Sequence, residues 1–424
     1  MAVSVGCDTR LWCLVGVLAA ASRSKWEGVV PSKRPGAEQR PCDQGGYLGQ
    51  TKTVRRYYKR LGIGAGALSP GLQRVASRLG IDDSFADAVD ALSETLRIEL
   101  RDEAVRRVTE GIGQVAEAQT QTAIALARAG KEPILKEEVR AESPLLLVEV
   151  DGVLVHEVDD NWHEVKVGLA APLGPKAQED VETGRGTLLM GKPNYCAGFE
   201  SAEIFWWRVY LEACRRGLGG ALVTMVVVLG DGADWIWRYA PTFLGVAGVR
   251  VVEILDIYHA FEHLGTAANA VFGQGSKAAE EWLRPLKRSL EEEGPVPILA
   301  ALGELSPEGE EAAEEVRKAV GYFREHAARM DYPTFIAMKL PIGSGAIESA
   351  CKTLIEEREK GAGMRWTEEG GTGSGDATGL ASVGALGGVL ARSSSAPPPG
   401  GIPPAREHDR CASYQGKASR LAPQ

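Results

Sequence analysis

Three acidic residues stand where regular elements end, not in charge-rich surface runs. Asp151 lies in VEVDGV, Asp231 follows the apolar run VVVLG in VVVLGDGADWIW, and Glu348 sits in GSGAIES. In an open α/β sheet, strand ends are where functional groups converge, because the backbone delivers a side chain to the sheet edge without burying it. Carboxylates placed there suit Mg²⁺ or Mn²⁺, hard ions that keep several waters and take only a few protein oxygens. Two such ions about 3.5–4 Å apart would activate a water or a 3′-hydroxyl and stabilise the leaving oxygen of an in-line phosphoryl transfer, the chemistry of nucleases and strand transfer. Taken singly, each residue has a plainer reading. Asp-Gly is the commonest turn dipeptide, and a helical Glu is usually solvated. Against the turn reading, strand-like sequence flanks Asp151-Gly152 on both sides, and Asp231 is followed by an apparent helix start.

A second motif, Asp256-Ile-Tyr-His259-Ala-Phe-Glu262-His263, contains HxxEH at 259–263. Read literally, this is the inverted zinc-protease pattern, with two His on one helical face and Glu as base. A zinc-dependent hydrolase also needs a third protein ligand. The motif follows directly on a buried strand and no downstream candidate stands out, so the carboxylate reading leads.

The elements that must position these residues are legible in the hydrophobic pattern. From 69 to 130 apolar residues recur at three- and four-residue steps, and Ser84 is placed to cap the second of three helices. Composition shifts at 144. LLLVEVDGVLVHEV (145–158), a strand-like run broken at Asp151-Gly152, and WHEVKVGLAAP (162–172) read as a hairpin. SAEIFWWRVYLEACRRG (201–217) is an amphipathic helix, while ALVTMVVVLGDGA (221–233) and VRVVEILD (249–256) are buried strands. Strands alternating with helices indicate an α/β sheet. Helical sequence returns at 275–330, with breaks near 294–297 and 306–308, and continues through Glu348 to about Arg358. The resulting division is a poorly ordered or degenerate arm at 1–68, a helical module at 69–143 expected to bind DNA, an α/β core at 144–272 and 335–368, a helical insertion at 273–334, and a disordered Gly/Ser/Pro-rich tail at 369–424.

Composition bounds the partners. The 424 residues carry a net charge of −9 and are 44% hydrophobic, ordinary for a globular chain but unsuited to coating nucleic acid by bulk charge. Local basic stretches such as TKTVRRYYKR (51–60) can still meet phosphate, with a solvated face as the plainer reading. Seven cysteines include no CxxC pair, which points to a reducing cytoplasm. The apolar LWCLVGVLAAAS (11–22) lacks the basic flank of a signal peptide, and no run reaches the ~18 apolar residues of a membrane span. Trp235 and Trp237 are candidate platforms for unpaired bases, with core packing as the alternative. Arg358, Lys360 and Arg365 are candidate phosphate contacts, with solvated charge as theirs.

Six segments in order, VEVDGVLV, WHEVKVG, VVVLGDGADWIW, LDIYHAFEHL, PIGSGAIESACK and REKGAGMRW, resemble the DDE transposases of bacterial insertion sequences, in the subgroup related to the Mutator-like and hAT superfamilies. The resemblance covers roughly residues 70–368. It implies a ribonuclease H-like catalytic core interrupted by a helical insertion, with Asp151, Asp231 and Glu348 as the metal-holding catalytic carboxylates, 80 and then 117 residues apart. Asp256 and His259 match a (C/D)xxH motif that supports the active site. Implied with it are Mg²⁺ or Mn²⁺, DNA as partner (element terminal repeats and target), a homo-oligomer on that DNA, and a cytoplasmic, nucleoid-associated location. The chain departs from the family at both ends. Only Cys42 and TVRRYYKRLGIG match its Cys-containing N-terminal segment, and after MRWTEEGG a Gly/Ser/Pro-rich stretch replaces helical sequence, as a frameshift would produce. A catalytically inactive remnant is therefore a third reading.

Overall fold

The computed structural model describes residues 68–134, 136–156, 162–179 and 184–356. The arm at 1–67, the tail beyond 356, and with it Arg358, Lys360 and Arg365, lie outside them.

Three helices open the described chain: α1 (Pro70–Asp82), α2 (Phe85–Leu96) and α3 (Asp102–Arg128). Ser69 and Ser84 cap the first two, each through its hydroxyl oxygen accepting a backbone N–H, and Ser84 does so from Asp87 at 3.1 Å. Ala76, Ala88, Leu92 and Val105 form their shared core. Arg208 ties α3 to the rest of the protein. Only 3% exposed, it pairs with Glu117 of α3 at 2.7 Å and with Glu200.

Strands β1 (Leu145–His156) and β2 (Trp162–Glu179) form the expected antiparallel hairpin. One detail differs from the sequence reading: β1 is not broken at Asp151-Gly152, and its pairing with β2 runs unbroken from Leu146 to His156. The ladder satisfies the backbone on both sides of the dipeptide, so its turn propensity is overridden. The 18-residue β2 carries Pro172-Leu173-Gly174-Pro175, and its register shifts between Leu173 and Ala177. Its outer edge is divided between two short strands that the sequence pattern did not reveal, β3 (Gly186–Met190), which spans the shift, and β4 (Asn194–Gly198), which pairs before it.

Helix α4 (Ala202–Arg215) leads into β5 (Met225–Gly230), α5 (Asp234–Leu244), β6 (Arg250–Leu255) and α6 (Ile257–Phe272). The six-stranded sheet has the order β3-β2-β1-β5-β6 with β4 beside β2, and β1, β5 and β6 run parallel. It is a mixed α/β sheet. Phe205 and Val209 of α4 sit so close to β2 that a Cβ on Gly168 would lie 3.0 Å from Val209 and 3.2 Å from Phe205.

Helices α7 (Lys277–Glu293), α8 (Pro295–Gly303) and α9 (Glu310–Glu325) form the insertion, followed by α10 (Tyr332–Ala337). Then α11 (Gly345–Ala350) runs into a π-helical turn at Cys351–Glu356. Ile347, Ala350, Cys351, Leu354 and Ile355 pack on Val153 and Val155 of β1 and Val165, Val167 and Leu169 of β2. Because strand side chains alternate, this is also the face that carries Glu149 and Asp151. Among the described residues no helix is long and apolar enough to cross a membrane.

Candidate metal centre at the ends of the parallel strands

Strand register assembles the site. β1 and β5 pair in parallel up to Glu149↔Leu229, so continuing that register sets Asp151 beside Asp231. β5 and β6 pair up to Gly230↔Leu255, which sets Asp231 beside Asp256. Three aspartates therefore stand abreast on neighbouring strands, roughly 5 Å apart from one strand to the next. Each is fixed by a backbone amide just after it. Asp151 Oδ1 accepts from Gly152 N at 2.7 Å, Asp231 Oδ1 from Ala233 N at 2.9 Å, and Asp256 Oδ1 from Tyr258 N at 2.8 Å. The last of these bonds also caps the start of α6.

Helix α11 delivers Glu348 to the Asp256 end of this row. Its approach is set by Glu149, buried on β1 at 1% exposure, whose Oε2 accepts the Ile347 N–H at 2.8 Å. On the next turn the Cys351 thiol lies 3.5 Å from Asp151 Oδ2. Ser344 lies between two acids: its hydroxyl is hydrogen-bonded to Asp256 and lies 3.1 Å from Glu348 Oε1. A hydroxyl has one hydrogen, so it can donate to only one of these carboxylates at a time.

Electrostatics follow from this crowding. Burial pushes the Glu149 carboxyl up to about 8; the Ile347 amide opposes this, and the charges of Asp256 and Glu348 add to it. Burial likewise raises Asp151, with Asp231 adding to it. For Asp256 burial is opposed and outweighed by hydrogen bonds from His259, Ser344 and the Tyr258 amide, which hold it below its usual range. His259 Nδ1 lies 3.3 Å from Asp256 Oδ2, and that bond raises the imidazole to about 9. With Nδ1 carrying the proton, the ring donates to Asp256 and a neutral imidazole keeps Nε2 as its free acceptor.

Asp256, His259 and Glu348 offer ligand atoms that all lie within 4.8 Å of one another. The fit to a cation is supported by Ser344, whose single hydrogen faces two carboxylates. The tightest grouping thus joins Glu348 to the pair that the sequence resemblance cast as supporting residues. Asp151 and Asp231 flank it on the same sheet end, their side chains turned to Gly152, Cys351 and Ala233.

Other expectations fare differently. Trp237 is only 6% exposed, inside the main core, with the Arg329 guanidinium 4.6 Å from its ring centre, so it is no platform for an unpaired base. Trp235 is half-buried against the same core, edge-on to Phe205. The core-packing alternative accounts for both. The HxxEH pattern does not assemble a two-His site: His263 stacks on Tyr322 at 3.7 Å between ring centres instead of turning to the carboxylates. Sequence reasoning missed Glu149, Ser344, Cys351 and Tyr322. Glu149 had a signal, since two acids at i and i+2 in an apolar strand share a face.

Fold and site define an α/β protein with a carboxylate-rich candidate metal centre at the ends of parallel strands. No protein-family model and no curated protein matches the chain.

Proposed function

We propose that the protein is a divalent-metal-dependent polynucleotidyl transferase, a DNA transposase of the DDE type that cuts at the ends of its element and joins them to target DNA. The observation that carries this reading is convergence: Asp151, Asp231 and Asp256 stand abreast on adjacent parallel strands, and α11, arriving after a helical insertion, brings Glu348 to the Asp256 end of that row and Cys351 to Asp151. An antiparallel hairpin continuing into parallel strands, with helices inserted between β6 and α11, supports a ribonuclease H-like core.

In this reading Asp151, Asp231 and Glu348 hold Mg²⁺ or Mn²⁺, and oxygen-rich donors suit either ion. When bound, the ions supply charge to the attacking and leaving oxygens of an in-line displacement. The nucleophile, a water or a 3′-hydroxyl, forms the new bond to phosphorus as the bond to the departing oxygen breaks, and its proton is released to solvent. Asp256 holds His259 by its Nδ1, and Ser344 fixes Asp256 relative to Glu348. DNA is the partner, with the protein acting as a homo-oligomer on element ends inside the cytoplasm.

The test is calorimetric titration of Mn²⁺ into wild type, Asp151→Asn and Glu348→Gln, with zinc content measured on the same samples and nicking scored on a duplex that includes the DNA flanking the coding sequence. Binding lost in both variants together with nicking is the expected result. Stoichiometric zinc indifferent to both substitutions would sink the reading in favour of a hydrolase, and metal binding without any nicking would leave a folded, inactive remnant.

A further inference from the structure

Tyr322, on α9 of the insertion, is the one described residue at this site whose polar atom has no visible reason to be there. Its hydroxyl is inaccessible and has no hydrogen-bond partner. Its ring is firmly held, stacked on His263 at 3.7 Å with 23° between the planes and set 4.8 Å from the His326 ring. It also lies directly on the loop that follows β5. A Cβ on Gly232 would be 2.4 Å from Tyr322 Cε2 and 3.1 Å from its hydroxyl oxygen, so only glycine admits the phenol beside Asp231. Burial, and after it the charges of Asp231, Asp256 and Glu262, raise its proton affinity and keep the hydroxyl a donor throughout the neutral range.

A buried hydroxyl without a partner destabilises the fold, and phenylalanine would fill the same space without that penalty. Such groups persist where they serve a bound state. The charged acceptors acting on it are Asp231 first, then Asp256 and Glu262, and Asp231 is the neighbour of the glycine on which the phenol rests.

We propose that Tyr322 is a positioning residue for the metal centre, its hydroxyl donating a hydrogen bond to the Asp231 carboxylate when a divalent cation draws that carboxylate into the ligand set. The insertion thus completes the core's site from its own helix, and His263 serves as the stacking support of the phenol. The inference rests on the metal-centre reading above.

The experiment compares wild type with Tyr322→Phe, which keeps the ring and its stack. Mn²⁺ affinity is measured by calorimetry, and the melting temperature of the metal-free protein is measured in EDTA. The expected result pairs opposite signs: Mn²⁺ binding weakened about tenfold, the size of one hydrogen bond to a charged group, with a melting temperature unchanged or raised. Equal Mn²⁺ affinity in the two proteins would overturn the proposal while leaving the metal centre standing. Weaker binding accompanied by a lower melting temperature would assign the hydroxyl to folding and overturn it too. A wild type that binds no Mn²⁺ would remove both this proposal and the reading beneath it.

Discussion

Replacing Glu149 by Gln should stabilise the metal-free protein, and by an amount that grows with pH. The carboxyl is 1% exposed and lies among the Ile347 amide, Asp256 and Glu348. Burial first, and then the two like charges, lift it from an ordinary 4.5 to about 8. Between those values the folded chain keeps a proton that the unfolded chain has released, so stability falls as pH rises across that window. Each pH unit is worth about 1.4 kcal/mol, so by neutrality the accumulated loss is about 3 kcal/mol. Glutamine does not titrate, and its Oε1 can still accept the Ile347 N–H, so the variant avoids the loss while keeping the contact that docks α11. The assay is urea unfolding of both proteins in EDTA from pH 5 to 8, read as the difference between their unfolding free energies. His259 is also raised, and its contribution, full below its ordinary value of 6.5, is lost as pH climbs toward 9. It is present in both proteins and cancels in the difference. A difference that stays constant with pH would refute the reasoning, since it would mean that Glu149 ionises in the folded state as it does in the unfolded one.

Three further outcomes follow from the packing. Gly232→Ala should destabilise the protein by about 1–3 kcal/mol in thermal or denaturant unfolding, because the added carbon would sit 2.4 Å from a ring already held in its stack on His263. Trp237→Ala should cost about 3–5 kcal/mol of stability and leave Mn²⁺ affinity in the folded protein unchanged, as expected of a core residue and not of a base-stacking one. Arg208→Met leaves Glu117 and Glu200 facing each other without their shared cation. About 3 kcal/mol of destabilisation is expected, together with faster proteolysis within α3, and an unaltered cleavage pattern would count against the tie between the helical module and the core.

The sequence by itself determined much of the scaffold. Three- and four-residue apolar steps marked α1 to α3 and the insertion helices, with Ser84 capping where expected, and period-two and continuously apolar runs marked β1, β2, β5 and β6. Asp151, Asp231 and Asp256 could be singled out because each sits at a local event, an acid within or just past an apolar strand, and such events are written in a few consecutive residues. What tertiary structure decided is everything that depends on how distant segments align. The parallel registers of β1, β5 and β6 put three aspartates abreast, and no local pattern encodes which residue of one strand faces which residue of the next. Edge strands β3 and β4 were invisible because each takes its pairing from a separate part of β2, β4 from Lys166–Ala170 and β3 from Leu173–Glu179. Trp237 was ambiguous because an aromatic at a helix start looks the same whether its face meets core or solvent. Tyr322 had no signal at all: it reaches the site only because α9 folds back on α6, and its importance lies in an unfilled hydrogen bond that exists only once burial has removed water from around it.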